Sequence, residues 1–441
     1  MSSHIIQELQ DGLIIRHSTG EDTEALTAFN ILVHSESDSD KKGLEDWTRD
    51  LISGEVPTFD TEDFTIVEDT KTGEIISSSC LISQTWSYEG IPFKVGRLEL
   101  VGTKEDYRRK GLIRRQFEIL HAWSKQRGEL VQVVEGIPFY YRQFGYEMTL
   151  NVHGGRIGYE IHVPKLKNDQ QEPYSIRLAV EEDIPFLMKT CARGFSRSMI
   201  HAIWDQDLWR YELTGKRKLN INRREIYIIE DLEGRPAGFT GIPSLKWGNN
   251  IVATQFEIAS GYAWTEITPS VIRFLWETGL RQAEEQGEAQ QMFGFWLGED
   301  HPVYQAAATL LPRIRKPYAH FVRVPDVPAF VEHIKPVLEK RLARSAFVNY
   351  TGEVKLNFYR DGLSLKFAKG QLEEIKSLHF TDLKGCEAAF PPLVFLNLIF
   401  GYRRVEELIH IYPDCSVRDD ETMYLLDALF PRKPSSIWGI S

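Results

Sequence analysis

The segment Ile15–Leu26, IRHSTGEDTEAL, returns 161 residues later as Ile176–Leu187, IRLAVEEDIPFL, with Ile, Arg, Glu, Asp and Leu in register. A period of that length is too long for a solenoid repeat and has the size of a duplicated domain. Each copy reads as a short strand ending in Ile-Arg, a polar turn, and an acidic pair at the start of an amphipathic helix, where carboxylates favour the helix dipole. A chain of 441 residues also exceeds what one hydrophobic core can organise, so two or three domains are expected.

Behind the first copy come a Ser, Asp and Glu-rich region (about His34 to Ser53) and the strand candidates FTIVED and IISSSCLISQTW. After the turn Glu89-Gly90 follows the strand IPFKVGRLELVG. A helix from about Leu112 to Arg127 and the apolar strand LVQVVE complete the unit. The second copy repeats that order more loosely through EIYIIED, PAGFTGIPSL, NIVATQFEIASGYAW, a helix near Ser270 to Gln286, and QMFGFWL. The polar segment Pro164–Pro173 separates the two. A third unit starts at VPDVPAFVEHIKPVLEKRLA and contains a hairpin around Asp361-Gly362, with Val354, Leu356 and Phe358 alternating on one side and Leu363, Leu365 and Phe367 on the other. The expected fold class is α+β (mixed α/β), with units at 1–163, 174–322 and 323–441.

The net charge of -11 argues against a general nucleic-acid binder, and no apolar run of about 20 residues is present to span a bilayer. The start of the chain lacks a secretory pattern, which gives a cytoplasmic reading. Cys80, Cys191, Cys386 and Cys415 share no CxxC spacing, so neither a metal site nor a disulfide framework is expected.

Against that acidic background, DYRRKGLIRRQF (Asp106–Phe117) gathers five basic residues in the eight positions from Arg108 to Arg115. A strand ending at Val101–Thr103, a turn through Arg108, Arg109, Lys110 and Gly111, and then a helix together leave backbone N–H groups free at a helix start, where anions bind. Gly111 permits close approach and the cations neutralise the guest, so a pyrophosphate fits. Neither G-x-x-x-x-G-K-[ST] nor G-x-G-x-x-G occurs here, which disfavours ATP and NAD.

The turn resembles the acyl-CoA pyrophosphate loop of the GNAT acetyltransferases, [QR]-x-x-G-x-[GA], here Arg108, Arg109, Lys110, Gly111, Leu112 and Ile113, with Ile113 in place of the usual small residue. Downstream, GIPFYYRQFGYEM (Gly136–Met148) resembles the family's Y-x-x-F-G-Y segment. The resemblance implies acetyl-CoA as co-substrate, held by Arg108 to Arg114 and by the backbone of Val101, Gly102 and Thr103, with Tyr141 as the acid that protonates the thiolate. Tyr140 is the neighbouring competitor.

Over its whole length the chain resembles the Eis (enhanced intracellular survival protein) acetyltransferases: a GNAT domain, a second GNAT-like domain without the loop, and a C-terminal domain like the sterol carrier proteins. In the second domain, GYAWTEITPSVIRFL replaces the loop and HPVYQAA (His301–Ala307) is the relic of the tyrosine segment, so that domain is expected to bind no CoA. The resemblance implies direct transfer to a primary amine (a polyamine, an aminoglycoside-like amine or a lysine side chain), a hexamer, and a chain-terminal carboxylate, here Ser441, as general base. Glu99 and Glu135 are alternative bases. This chain ends SSIWGIS, keeping Trp438 but lacking the family's acidic and aromatic tail. The acidic segment HSESDSDKKGLED either attracts a cation or is a solvated loop, the second being favoured, and His34 within it is taken as an ordinary polar residue. Two rival readings remain: a non-catalytic CoA-binding sensor, and a lipid carrier using the apolar run Pro391–Phe400, which a buried core segment also explains.

Overall fold

The computed structural model describes residues 4–137, 139–167, 169–245, 250–286 and 289–438. The first region comprises β1 (Ile5–Glu8), β2 (Leu13–His17), α1 (Thr23–His34), α2 (Asp38–Ile52), β3 (Phe64–Asp69), β4 (Glu74–Tyr88), β5 (Ile91–Thr103), α3 (Leu112–Gln126), β6 (Val131–Glu135) and β7 (Glu147–Val152). Strands β1 to β5 form an antiparallel meander. Glu89 and Gly90, both at positive φ (45° and 98°), make the tight turn between β4 and β5, whose twist suits a two-residue hairpin. Side chains alternate along the strands and so feed two cores. Cys80 and Ile82 pack with Leu26, Phe29, Leu44 and Trp47 of α1 and α2, whereas Leu81 and Leu98 pack with Phe117 and Leu120 of α3.

The second region contains β8 (Gly155–Tyr159), β9 (Ser175–Leu178), α4 (Ile184–Phe195), β10 (Ile200–Ala202), α5 (Gln206–Arg210), β11 (Arg224–Glu230), β12 (Pro236–Pro243), β13 (Asn250–Ala253), β14 (Gln255–Ile258), α6 (Trp264–Gln286), β15 (Met292–Phe295), α7 (Pro302–Ala306), β16 (Arg313–Arg315) and β17 (Tyr318–Arg323). Its strands form two sheets, ordered β14-β12-β11-β9 and β13-β15-β8-β16. Helix α6 starts six residues before the expected Ser270 and takes Pro269 into its second turn. Strand pairing crosses the boundaries expected from the sequence. Strand β8, which precedes the polar segment at 164–173, pairs with β15, and β17 inserts between β6 and β7 of the first sheet.

The residues of the internal echo form the same lock twice. Arg16 grips Asp22 with both terminal nitrogens (2.8 and 2.6 Å) and Glu68 with Nε (2.6 Å). Arg177 grips Asp183 (2.7 and 2.9 Å) and Glu230 (2.8 Å) in the same way. Each Asp also accepts the backbone N–H three residues before it, at Thr19 and at Val180, and so fixes the turn that opens the helix.

The third region adds α8 (Val327–Leu342), β18 (Gly352–Asn357), β19 (Gly362–Ala368), β20 (Gln371–Leu378), β21 (Ala388–Ala389), α9 (Leu396–Ile399), α10 (Val405–Ile411), β22 (Ser416–Val417), α11 (Asp420–Leu429) and β23 (Ser435–Ser436). The hairpin pairs Val354 with Leu365 and Leu356 with Leu363 in a sheet ordered β20-β19-β18-β21-β22. Within the run Pro391–Phe400, the residues from Val394 onward are buried against α8 and α11, so they form core, and only Leu396–Ile399 are helical. At the end of the chain β23 pairs with β10, which pairs with β4, bringing the tail back to the first sheet.

Candidate active site

Strand β5 runs parallel to β6 only from Val95 to Leu98, opposite Val131 to Val134. At Leu100, φ is 51°, and the pairing with β4 skips from Cys80–Glu99 to Ser78–Gly102, so Leu100 and Val101 oppose one residue. Such a bulge bends its strand. Beyond it β5 forms no ladder with β6 among the described residues, and the backbone from Glu99 to Thr103 borders an open fork.

A cavity of about 680 Å³ fills that fork. Val101, Gly102, Thr103, Arg108, Arg109, Gly111, Leu112, Ile113, Arg114, Tyr140 and Tyr141 all line it. Lys110 stays outside the lining, its ammonium 4.6 Å from the centre of the Tyr107 ring. Arg109 and Gly111 are left-handed (φ 65° and 77°), and Gly111 caps α3. A Cβ on Gly111 would meet nothing within 4 Å, so the positive φ, not crowding, calls for glycine. Arg114 reaches Gln143 Oε1 (3.1 Å) and stacks on Phe144. Among the described residues none of Arg108, Arg109, Lys110, Arg114 and Arg115 has a carboxylate partner. Arg108, Arg109 and Arg114, the three of these that line the cavity, form an anion cradle with the free helix N–H groups.

Tyr141 stands at the other end of this cavity. It lies in the turn Tyr140–Phe144, flanked by left-handed Phe139 and Gly145, and is 5% exposed. Phe117 stacks parallel to it at 6.1 Å, and Phe321 of the inserted β17 packs edge-on at 5.5 Å. Burial, then the charge of Glu99, raises its pKa above the ordinary tyrosine value, so it holds its proton. Its hydroxyl has no hydrogen-bond partner among the described residues. Gly136 lies so close that a Cβ there would sit 2.9 Å from the oxygen. Tyr140 is half-buried and meets Tyr141 edge-on at 5.2 Å.

Glu135, next to Gly136, lines a second cavity of about 440 Å³. Val101 and Ile137, each two residues beyond Glu99 and Glu135, line the first cavity, and the charge of Glu99 reaches Tyr141, so the two cavities lie next to each other at the fork. On the first-region side the second cavity has Leu44 and Trp47 of α2, with Arg97, Glu99 and Glu135. The supposed solvated loop is thus largely the Ser37-capped helix α2. Arg97 is buried between the two carboxylates, 2.5 Å from Glu99 Oε1 and 3.6 Å from Glu135 Oε2. Burial raises Glu99 above the usual carboxylate range, with Arg97 opposing and Glu135 assisting. Glu135 feels burial too, but its contact with His153 (3.2 Å) and the charge of Arg97 outweigh it and hold it at about 2.

The far wall comes from the second region and the tail: Arg197, Arg224, Glu257, His301 and Ser435–Trp438. Sequence reading did not assign these residues. Arg97 and Glu99 in an otherwise apolar strand were the available signal for the near wall; nothing local marks the far one. Ser441 lies outside the described residues. Trp438 lines the cavity and rests on Trp204 at 4.3 Å. His34 lines the first cavity, with burial lowering its pKa.

In the second region, where β13 gives way to β14, aromatic rings stand at the start of the following helix. Trp264, at the start of α6, packs edge-on against Phe256 and His301 (both 4.9 Å). Tyr304, the counterpart of Tyr141, donates to the carbonyls of Phe295 and Gly298 and accepts the N–H of Leu297, all at 3.0 to 3.1 Å.

Residues 14–149 match the family model described as an acetyltransferase (GNAT) domain. No curated protein matches the sequence. Among solved structures, the chain is similar to a GCN5-related N-acetyltransferase from Kribbella flavida, with a TM-score of 0.61 at 15% identity over 97% of this chain and 98% of that one. A conserved protein of unknown function from Enterococcus faecalis V583, described as a probable N-acyltransferase, gives 0.61 at 11% identity over 97% and 100%. Eis1 from Mycobacterium abscessus gives 0.56 at 12% identity over 96% and 99%. Residues 14–149 thus match a GNAT acetyltransferase domain, and the fold of the chain is shared with these solved structures over nearly its whole length.

Proposed function

We propose that the protein is an acetyl-CoA-dependent N-acetyltransferase that acetylates a primary amine by direct transfer in a ternary complex. The observation that carries this reading is the fork itself: an unpaired cationic helix start, an open strand edge and Tyr141 share one cavity, which abuts a second cavity containing Glu99. Arg108, Arg109, Arg114 and the N–H groups after Gly111 would hold the pyrophosphate. The backbone at Val101–Thr103 would pair with the pantetheine arm as an added strand does. When bound, acetyl-CoA supplies the thioester-activated acetyl group.

Of the candidate bases, Glu99 suits the role best. It faces the second cavity, and its raised proton affinity lets it take a proton from an ammonium, whereas Glu135, held at about 2, is a poor acceptor. The freed amine attacks the acetyl carbon, the C–N bond forms and the C–S bond breaks. Tyr141 delivers its proton to the sulfur and regains one from the second proton lost by the amine nitrogen, while Glu99 releases the first to solvent. Reaction thus yields an amide, a free thiol and one proton.

The division into units 1–163, 174–322 and 323–441, with β8 and β17 exchanged, belongs to the same proposal, as do the hexameric assembly implied by the Eis resemblance and the cytoplasmic location expected from the sequence. Free-thiol release from acetyl-CoA with polyamines, aminoglycosides and lysine peptides tests the reading. Release that depends on an amine and collapses in Tyr141→Phe supports it; acetyl-CoA binding without turnover of any amine favours a sensor.

A further inference from the structure

The second cavity has an asymmetry that the transfer chemistry does not use. Its near wall holds the carboxylates Glu99 and Glu135 around Arg97; its far wall holds Arg224, 7% exposed. Arg224 donates from Nε to Thr254 Oγ1 (3.1 Å) and from Nη1 to the carbonyl of Asn222 (2.7 Å). Nη2 has no partner among the described residues, and no carboxylate pairs with the guanidinium.

The nearest acid behind it, Glu212, is already engaged. Its side chain binds the Lys216 ammonium and accepts the backbone N–H of Arg224 (2.8 Å). Lys216 and Glu212 are fully buried, so this group of three carries one surplus positive charge out of water. Two neighbouring amides add unmet hydrogen-bonding capacity: Asn222 Nδ2 and both polar atoms of Gln255 are buried without partners, and both residues line the cavity. Arg224 is shielded from water and helped only by the more distant charges of Glu212 and Glu135, and a buried cation with no carboxylate in contact, beside unmet amide donors at Asn222 Nδ2 and Gln255 Nε2, is costly unless an anion completes it.

We infer that the acceptor is an amine that also carries a carboxylate, an amino acid or a peptide-like acid, whose carboxylate docks on Arg224 and the Asn222 and Gln255 amides while its amine faces Glu99. This rests on the proposed acetyl transfer and names the substrate class of that site. A polyamine presents a second cation to Arg224 and is selected against.

The test is thiol release from acetyl-CoA by the full chain with matched amines differing only in the carboxylate: phenylalanine and phenethylamine, lysine and 1,5-diaminopentane, 6-aminohexanoate and pentylamine. A charge-assisted contact predicts kcat/KM at least about tenfold higher for the acid in one or more pairs. Arg224→Gln should raise KM for that acid more than for its partner; the wild-type pairs decide the matter alone if this variant does not fold. Equal turnover within every pair overturns the inference and leaves acetyl transfer standing. Arg224→Gln lowering kcat equally for both members also overturns it, since Arg224 would then serve the chain's own Ser441 carboxylate. Turnover of none of the six overturns it as well, and acetyl-CoA binding measured alongside shows whether the functional reading falls with it.

Discussion

Strand β5 and the run Asn250–Ile258 both start beside a parallel neighbour and then part from it, yet one parting is open and the other closed. In the first region, the bulge at Leu100 turns the strand away from β6, and the helix that follows begins with uncompensated cations. In the second, the run changes sheets at Thr254, and Trp264 and Tyr304 fill the space with rings and hydrogen bonds. A parting of strands can thus stay open or close, depending on a few residues at the start of the helix that follows. The second region still contributes to the second cavity, which Arg197, Arg224, Glu257 and His301 line.

The comparison breaks most visibly at the two tyrosines. Tyr141→Phe should lower kcat by about 10²-fold or more, the contribution of a positioned acid, with a small change in KM for acetyl-CoA, read by thiol release. Next in size, replacing both Arg108 and Arg114 by Ala should weaken acetyl-CoA binding by about tenfold or more and flatten its dependence on salt, measured by calorimetry at two ionic strengths.

The pH profile sharpens the account of the base. Glu99 must be ionised to accept a proton, so activity should fall as pH drops through its raised pKa, placing the acid limb of kcat/KM above the ordinary carboxylate range. Glu135→Gln removes a negative neighbour that raises Glu99, and should move that limb to lower pH. The smallest effects concern stability alone. Tyr304→Phe should leave turnover intact and cost about 1–3 kcal/mol by orphaning buried backbone groups, measured by thermal unfolding. Arg16→Ala should cost more than Arg177→Ala, because the Arg16 lock is the better shielded of the two.

Much of the first site was legible because its signals are local. Charge density at Arg108–Arg115, the glycine within it, and the tyrosine segment sit in short stretches, and period-two and helical patterns located the strands and helices around them. The paired Arg16 and Arg177 locks likewise explain why those few echoed positions stand out. What sequence could not reveal depends on residues far apart in the chain: the insertion of β17 beside β6, which brings Phe321 onto Tyr141, and the placing of Arg224 on the same cavity as Arg97 and Glu135. Strand exchange was invisible because β8 and β17 have ordinary strand patterns that say nothing of their partners. In the apolar run before Phe400 the hydrophobicity reported burial correctly but not how little of it is helix.

Acetyl-CoA titration by calorimetry tests the central claim most directly. The account predicts one site per chain, weakened by loss of Arg108 and Arg114 and indifferent to Tyr304→Phe. Two sites per chain, or one that ignores the loss of both arginines, would contradict it.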